Sequence, residues 1–196
     1  LVPTDIPGYS VARVEDKLGQ NASDTAQVVF DALRVEGDAL LGDESDGYRI
    51  ALSTLEGGRI GIAAQAVGMA RAAYEAALAY AQEREAFGKP IIGHQAVAFR
   101  LADMATGVEA ARQLTHHAAT LADSGQPCRK EAAMAKLFAS EMAEKVCSDA
   151  IQVHGGYGYL KDFPVERIWR DVRVCRIYEG TSDIQRLIIS REIADQ

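Results

Sequence analysis

Three short stretches carry side chains suited to chemistry rather than to plain packing. In Tyr178-Glu179-Gly180-Thr181-Ser182-Asp183-Ile184-Gln185 a carboxylate stands just ahead of a helix start. The partial positive charge of unsatisfied N–H groups favours an anion there, and Gly180 leaves backbone room for a ligand. The alternative is that Glu179 merely complements the helix dipole. In Gln152-Val153-His154-Gly155-Gly156-Tyr157-Gly158-Tyr159, glycines follow the end of a helix. There are more of them than a left-handed cap requires, which points to close approach of a ligand or of another backbone segment. Arg84-Glu85-Ala86-Phe87-Gly88-Lys89-Pro90, followed by His94-Gln95, places a cation and an aromatic at a helix end. That pair suits a pyrophosphate and an adenine; equally, Arg84 can compensate the C-terminal dipole before a Gly-Lys-Pro stop.

The elements that must hold these stretches are mostly helical. A helix is predicted from Tyr48 to about Glu85. A second runs from about His94 to Leu121, with Val97, Leu101, Met104, Val108, Ala111, Thr115 and Ala118 drawing one stripe in steps of three and four. Ser124-Gly125-Gln126-Pro127 breaks the chain. A third helix, about Arg129 to Val153, turns Ala132, Ala135, Phe138, Met142, Val146 and Ala150 inward. The last starts near Ser182, where Ser182 and Gln185 fit a capping box and Ile184, Leu187 and Ile188 form the buried face. One apolar stripe on each of four helices makes an antiparallel four-helix bundle the natural solution. Before Gly47 the pattern differs. Val11-Ala12-Arg13-Val14 and Gln27-Val28-Val29-Phe30-Asp31 read as strands between turn residues, too few to build a core of their own. The fold class is thus mainly α, a bundle over 48–196 preceded by the remnant of a β-domain over 1–47.

Composition narrows the function. Apolar residues make up 48% and charged residues 25%, an ordinary globular balance. A net charge of −7 offers no basic stripe for nucleic acid, although a few arginines still suffice for one anionic small ligand. Cys128, Cys147 and Cys175 are scattered, without a CxxC pair, which suits a reducing compartment such as the bacterial cytoplasm or the mitochondrial matrix. The markedly apolar run Ile60–Ala70 is shorter than the roughly 20 residues a membrane span needs. Leu1-Val2-Pro3 reads like the interior of a strand, so the chain is expected to be a piece of a longer one.

Taken together and in this order, the blocks resemble the acyl-CoA dehydrogenase family, especially its short-chain members. Glu15-Asp16-Lys17-Leu18-Gly19 looks like the second part of that family's middle β-domain. Leu55-Glu56-Gly57-Gly58-Arg59-Ile60-Gly61-Ile62-Ala63, the Arg84–Gly88 block, Leu101-Ala102-Asp103-Met104 and Glu131-Ala132-Ala133-Met134-Ala135-Lys136 continue the match. The Gln152–Tyr159 block, Ile168-Trp169-Arg170-Asp171 and the Tyr178–Gln185 block complete it. Singly each block is weak; together, at family spacing, they are specific.

The resemblance implies flavin-dependent α,β-dehydrogenation of acyl-CoA thioesters to trans-2-enoyl-CoA, with Glu179 as the base that removes the α-proton. The thioester carbonyl is expected to accept hydrogen bonds from the Glu179 N–H and from FAD. Some relatives place the base one residue before the arginine of the first helix block; here that residue is Gly58, which has no side chain for the task. For FAD, Arg84, Phe87, Gln95, Gln152, Gly155 and Gly156 are implied to meet a neighbouring subunit's cofactor, and Thr181 and Asp183 the subunit's own, Asp183 departing from the commoner Gln or Glu. Glu56, Arg59, Tyr178, Gly180 and Arg191 are implied on the substrate side, where Arg59 and Arg191 read equally well as solvated helix charges. Acyl-CoA as substrate, an electron-transfer flavoprotein as acceptor, a homo-oligomer (dimer or tetramer), no metal, no nucleic acid and no membrane span complete the expectation. Because the family's N-terminal helical domain and the front of its β-domain lie outside these 196 residues, the chain by itself is expected to be empty of FAD and inactive. The alternatives are a cofactor-free oligomerising bundle and an acyl-CoA oxidase that passes electrons to oxygen.

Overall fold

The structure, a computed structural model, describes residues Leu1–Ala194. Two compact units divide at Thr54/Leu55. The first holds β1 (Tyr9–Val14) and β2 (Ala26–Phe30), paired antiparallel with Tyr9 opposite Phe30 and Val14 opposite Ala26. The register shifts between Val11 and Arg13, so Ala12 is bulged out. Tyr9 and Phe30 rings meet at 5.9 Å across the ladder. Gly8 closes the sheet's end at φ +91°; a Cβ there would stand 2.6 Å from the Asp31 carbonyl oxygen. Val11, Val14, Val28, Val29 and Phe30 remain exposed, as two strands alone have no second layer to bury them.

α1 (Gly47–Glu83) begins in the first unit and runs on into the second. Within the second unit its face toward the core is almost all alanine: Ala63, Ala66, Ala70, Ala73, Ala77 and Ala81 are fully buried, with Val67 beside them. Alanine is the strongest helix former and costs no side-chain entropy, which sustains so long a helix despite four glycines between 57 and 68. α1 ends at a minimal hairpin of β3 (Glu85–Ala86) and β4 (Lys89–Pro90).

α2 (Gln95–Asp123) buries Leu101, Met104, Val108, Ala111, Thr115 and Ala118, the stripe read from its sequence. α3 (Arg129–His154) is the hub, packing on α2, on α4 (Val165–Val172) and on α5 (Ser182–Ala194). Its inward face holds Ala132, Ala135, Val146 and Ala150 as expected, but Phe138 is 42% exposed. Lys136, Ala139 and Ala143 are fully buried on this helix instead. Arg176, in the 3₁₀ turn Arg173–Arg176, bonds Glu144 at 2.5 Å, and Arg186 of α5 bonds Glu141 at 2.6 Å, tying both segments to α3.

α4 was not foreseen. It is eight residues long with only Val165 and Val172 fully buried, two turns apart on one face. Pro164 before its first residue and the i,i+4 pair Glu166–Arg170 at 2.8 Å are the sequence signals that mark it. α5 also departs from expectation. Ile184 and Leu187 are 45% and 43% exposed, and the buried face is Ser182, Gln185 and Ile188. Among the described residues no helix is long and apolar enough to cross a membrane, and no His/Cys/Asp/Glu group could hold a metal ion.

Candidate active site

Glu179 occupies the turn between the Arg173–Arg176 segment and α5, in a left-handed conformation at φ +54°, followed by Gly180 at φ +88°. A non-glycine residue pays about 1–3 kcal/mol for such a conformation and keeps it only when its surroundings enforce it. Two buried side chains do so. Gln185 Nε2 donates to the carbonyls of Glu179 at 3.0 Å and Gly180 at 2.9 Å, and Lys136 Nζ donates to the Gly180 carbonyl at 2.7 Å. Glycine is required at 180, where a Cβ would stand 2.8 Å from Gln185 Nε2.

The expected capping box is therefore not formed. Thr181 caps α5, its Oγ1 accepting weakly from the Ile184 N–H at 3.5 Å. The Ser182 hydroxyl is buried without a partner among the described residues, and Gln185 is drawn away to the turn carbonyls.

With its backbone held, the Glu179 side chain reaches α1. A Cβ on Gly58 would lie 2.4 Å from Glu179 Oε2, so the carboxylate rests directly on the bare backbone of Gly58. Oε2 is buried and accepts no hydrogen bond among the described residues. Leaving a carboxylate oxygen unmatched in the interior costs free energy, so such a group calls for an explanation beyond stability. The Glu179 backbone N–H likewise donates to no group among the described residues.

Arg59 lies one residue along α1 and is 6% exposed, with its Nε buried and unpartnered. It is not a solvated helix charge. Burial pulls its guanidinium below the ordinary range; Glu56 opposes this, Arg129 adds to it, and Glu179 opposes it again. Glu56 thus belongs to the same cluster. Tyr178 is fixed by its hydroxyl, which donates to Gln65 Oε1 on α1 and sits 3.6 Å from Cys175 Sγ; burial pushes the phenol above its usual range. Arg191 is exposed near the end of α5, apart from this cluster's hydrogen bonds.

The residues expected at the cofactor fall into two places. Arg84, Gly155 and Gly156 line one cavity of about 410 Å³ together with Tyr80, His154 and Tyr157. His154 is buried, bonds the Ala150 carbonyl through Nδ1 at 2.8 Å and stacks on Tyr80 at 4.3 Å. The Arg84 guanidinium stands 5.6 Å from the Tyr157 ring centre. A Cβ on Gly155 or Gly156 would meet nothing within 4 Å, so their backbone is laid bare to the cavity. Gly158 differs, since a Cβ there would strike the Ile151 carbonyl at 2.5 Å; it is a packing glycine. Phe87 projects 95% exposed from the hairpin at φ +53°, edge-on to His94, the residue before Gln95, which with Gln152 is also exposed. Thr181 and Asp183 lie at the start of α5, away from the cavity lining. An open glycine ledge beside an arginine and an exposed aromatic fits the pyrophosphate and base of a dinucleotide such as FAD.

Lys136 and Gln185 are the site residues that sequence reasoning missed. Lys136 was not among the positions expected inward, but it stands one turn after Ala132, and a lysine at that spacing is the signal that was available.

Comparison with known proteins identifies the family. The family description "Acyl-CoA dehydrogenase, C-terminal domain" matches residues 45–194. The mitochondrial short-chain specific acyl-CoA dehydrogenase of Bos taurus is 52% identical over 190 residues, which cover 97% of this chain and 46% of that protein. The butyryl-CoA dehydrogenase of Megasphaera elsdenii superposes with a TM-score of 0.96 at 41% identity, over 98% of this chain and 50% of the other. A chain from the structure of the electron transferring flavoprotein of Acidaminococcus fermentans, which concerns flavin-based electron bifurcation, superposes at 0.97 with 47% identity, over 100% of this chain and 51% of that one. The chain spans about half the length of the curated relatives it matches. It belongs to the acyl-CoA dehydrogenase family, and from residue 45 onward it corresponds to that family's C-terminal domain.

Proposed function

We propose that, within its whole protein, this chain serves the α,β-dehydrogenation of an acyl-CoA thioester, with Glu179 as the base. The observation that carries it is the Glu179 carboxylate, buried over Gly58 with Oε2 unmatched, on a backbone turn held by two other side chains. The proton on the substrate α-carbon passes to that carboxylate. The free N–H of Glu179 donates to the thioester carbonyl and stabilises the negative charge that gathers on its oxygen as the proton leaves. A double bond forms between the α- and β-carbons while the β-hydrogen departs as hydride, giving the trans-2-enoyl-CoA. FAD, when bound, supplies the acceptor for that hydride.

Arg59 and Glu56 lie beside the carboxylate, and with Arg191 they supply charge for the CoA portion; Tyr178 and Gly180 border the acyl group. Thr181 and Asp183 serve the cofactor of the same copy. Arg84, Phe87, Gln95, Gln152, Gly155 and Gly156, grouped elsewhere on the chain, serve the cofactor of a second copy, so the working unit is a homo-oligomer, a dimer or tetramer. Similarity to a chain from the electron transferring flavoprotein structure supports a protein of that kind as electron acceptor.

The test is Glu179→Gln in the full-length flavoenzyme. Flavin and acyl-CoA binding persist, and reduction of the flavin by substrate slows by several orders of magnitude. A near-normal rate rejects Glu179 as base, and hydrogen peroxide released in air at the turnover rate replaces the dehydrogenase with the oxidase.

A further inference from the structure

Lys136 is fully buried, and among the described residues its ammonium has one hydrogen-bond partner, the Gly180 carbonyl, and no carboxylate within ion-pair distance. An ammonium in the interior loses its hydration, and a single neutral carbonyl returns only part of that loss. Methionine would fill the same space in α3 without this cost. The carbonyl does not depend on Lys136 for satisfaction either, because Gln185 already donates to it at 2.9 Å. Stability alone therefore does not explain the lysine. What the lysine adds is a second fixed point on one peptide: α5 holds the Glu179–Gly180 turn through Gln185, and α3 holds it through Lys136. Two anchors on different helices fix the orientation of the peptide plane that follows Glu179, where one anchor leaves it free to rock.

From this geometry we infer that Lys136, acting with Gln185, is the positioning residue of the site: it clamps the Gly180 carbonyl so that Glu179 keeps its left-handed backbone and its carboxylate stays over Gly58. Lys136 touches neither substrate nor flavin in this role; it acts through Glu179, and the inference rests on Glu179 being the base. Deprotonation of an α-carbon requires the carboxylate in line with the C–H bond, and displacement by about 1 Å lowers a rate by about 10²-fold.

The experiment compares Lys136→Met, Gln185→Met and Glu179→Gln in the full-length flavoenzyme. It measures flavin reduction against acyl-CoA concentration, binding of the enoyl-CoA product by its perturbation of the flavin spectrum, and the thermal midpoint. Lys136→Met is expected to reduce the maximal rate about 10²-fold, leave KM and product affinity nearly unchanged, and keep or raise the midpoint. Gln185→Met loses rate as well but lowers the midpoint, because it leaves the buried Glu179 carbonyl without its donor while Lys136 still holds that of Gly180. A Lys136→Met enzyme with an undiminished maximal rate overturns the clamp while leaving the base in place. Failure of that variant to fold also overturns it, since Lys136 is then a structural residue. A normal rate in Glu179→Gln instead removes the base, and with it the clamp's purpose, so the two failures are told apart.

Discussion

At the scale of single residues the site is a set of exceptions: a left-handed glutamate, an unmatched carboxylate oxygen and a buried lysine. Glu179 was legible because its neighbours spell a family motif, whereas its left-handed backbone was not, since propensity assigns glutamate no such conformation. Lys136 has a titration that can be followed. Burial pushes its ammonium down to about 8, with Arg59 and Arg176 pressing the same way and Cys175 and Glu179 opposing. Between that value and the ordinary 10.5 the unfolded chain holds a proton the folded chain has released. Stability therefore rises with pH across that window, and the full penalty is present below pH 8. A displacement of this size corresponds to about 3 kcal/mol. Lys136→Met removes it, less about 1 kcal/mol for the lost hydrogen bond. Unfolding by urea at pH 7 is expected to show the variant more stable by about 1–2 kcal/mol, a lead that shrinks as the pH approaches 10.5. A lead that holds constant with pH contradicts the assignment.

At the scale of elements, periodicity sufficed for the three long helices, whose ends fell within about two residues of expectation. It failed where an element is short or where chemistry outweighs packing. α4 is too brief for its two buried valines to establish a period, and α5 gives interior positions to Ser182 and to Gln185, the latter bonded to the turn, leaving Ile184 outside. The cap shifted for the same reason, because a glutamine engaged with two carbonyls is lost to a capping box. The interior these helices share is built largely of alanine, so it has little slack for larger groups. Ala143 of α3 is fully buried within it. Ala143→Leu is expected to destabilise the chain by about 1–3 kcal/mol through overpacking, lowering the thermal midpoint by several degrees, about 2–4 °C per kcal/mol. An unchanged midpoint contradicts close packing at Ala143.

At the scale of the molecule, composition excluded partners better than it identified any. A net charge of −7 with no basic stripe argued against nucleic acid, while the blocks at family spacing pointed to the flavoenzyme family that the comparisons bear out. Large apolar side chains nonetheless stand in water: Tyr159 is 86% exposed, Phe87 95% and Phe99 60%. Side chains so placed are available to a partner, and under the cofactor roles proposed above the two separate groups of residues call for a second copy. Light scattering at micromolar concentration is expected to return at least twice the mass of one chain, and a monomeric mass contradicts that arrangement. A different consequence follows from the alanine face of α1. A helix whose fully buried positions are mostly methyl groups is a smooth rail, with few large knobs to stop it sliding along its own axis. Yet the carboxylate of Glu179 needs Gly58, and not the residue a turn away, beneath it. Two pins set that alignment: Gln65, gripped by the Tyr178 hydroxyl two turns beyond Gly58, and Tyr80, stacked on His154 near the helix end. The residue beside the base and the residue beside the glycine ledge thus index the same rail, so the axial position of one helix is held in common by both places where chemistry is expected.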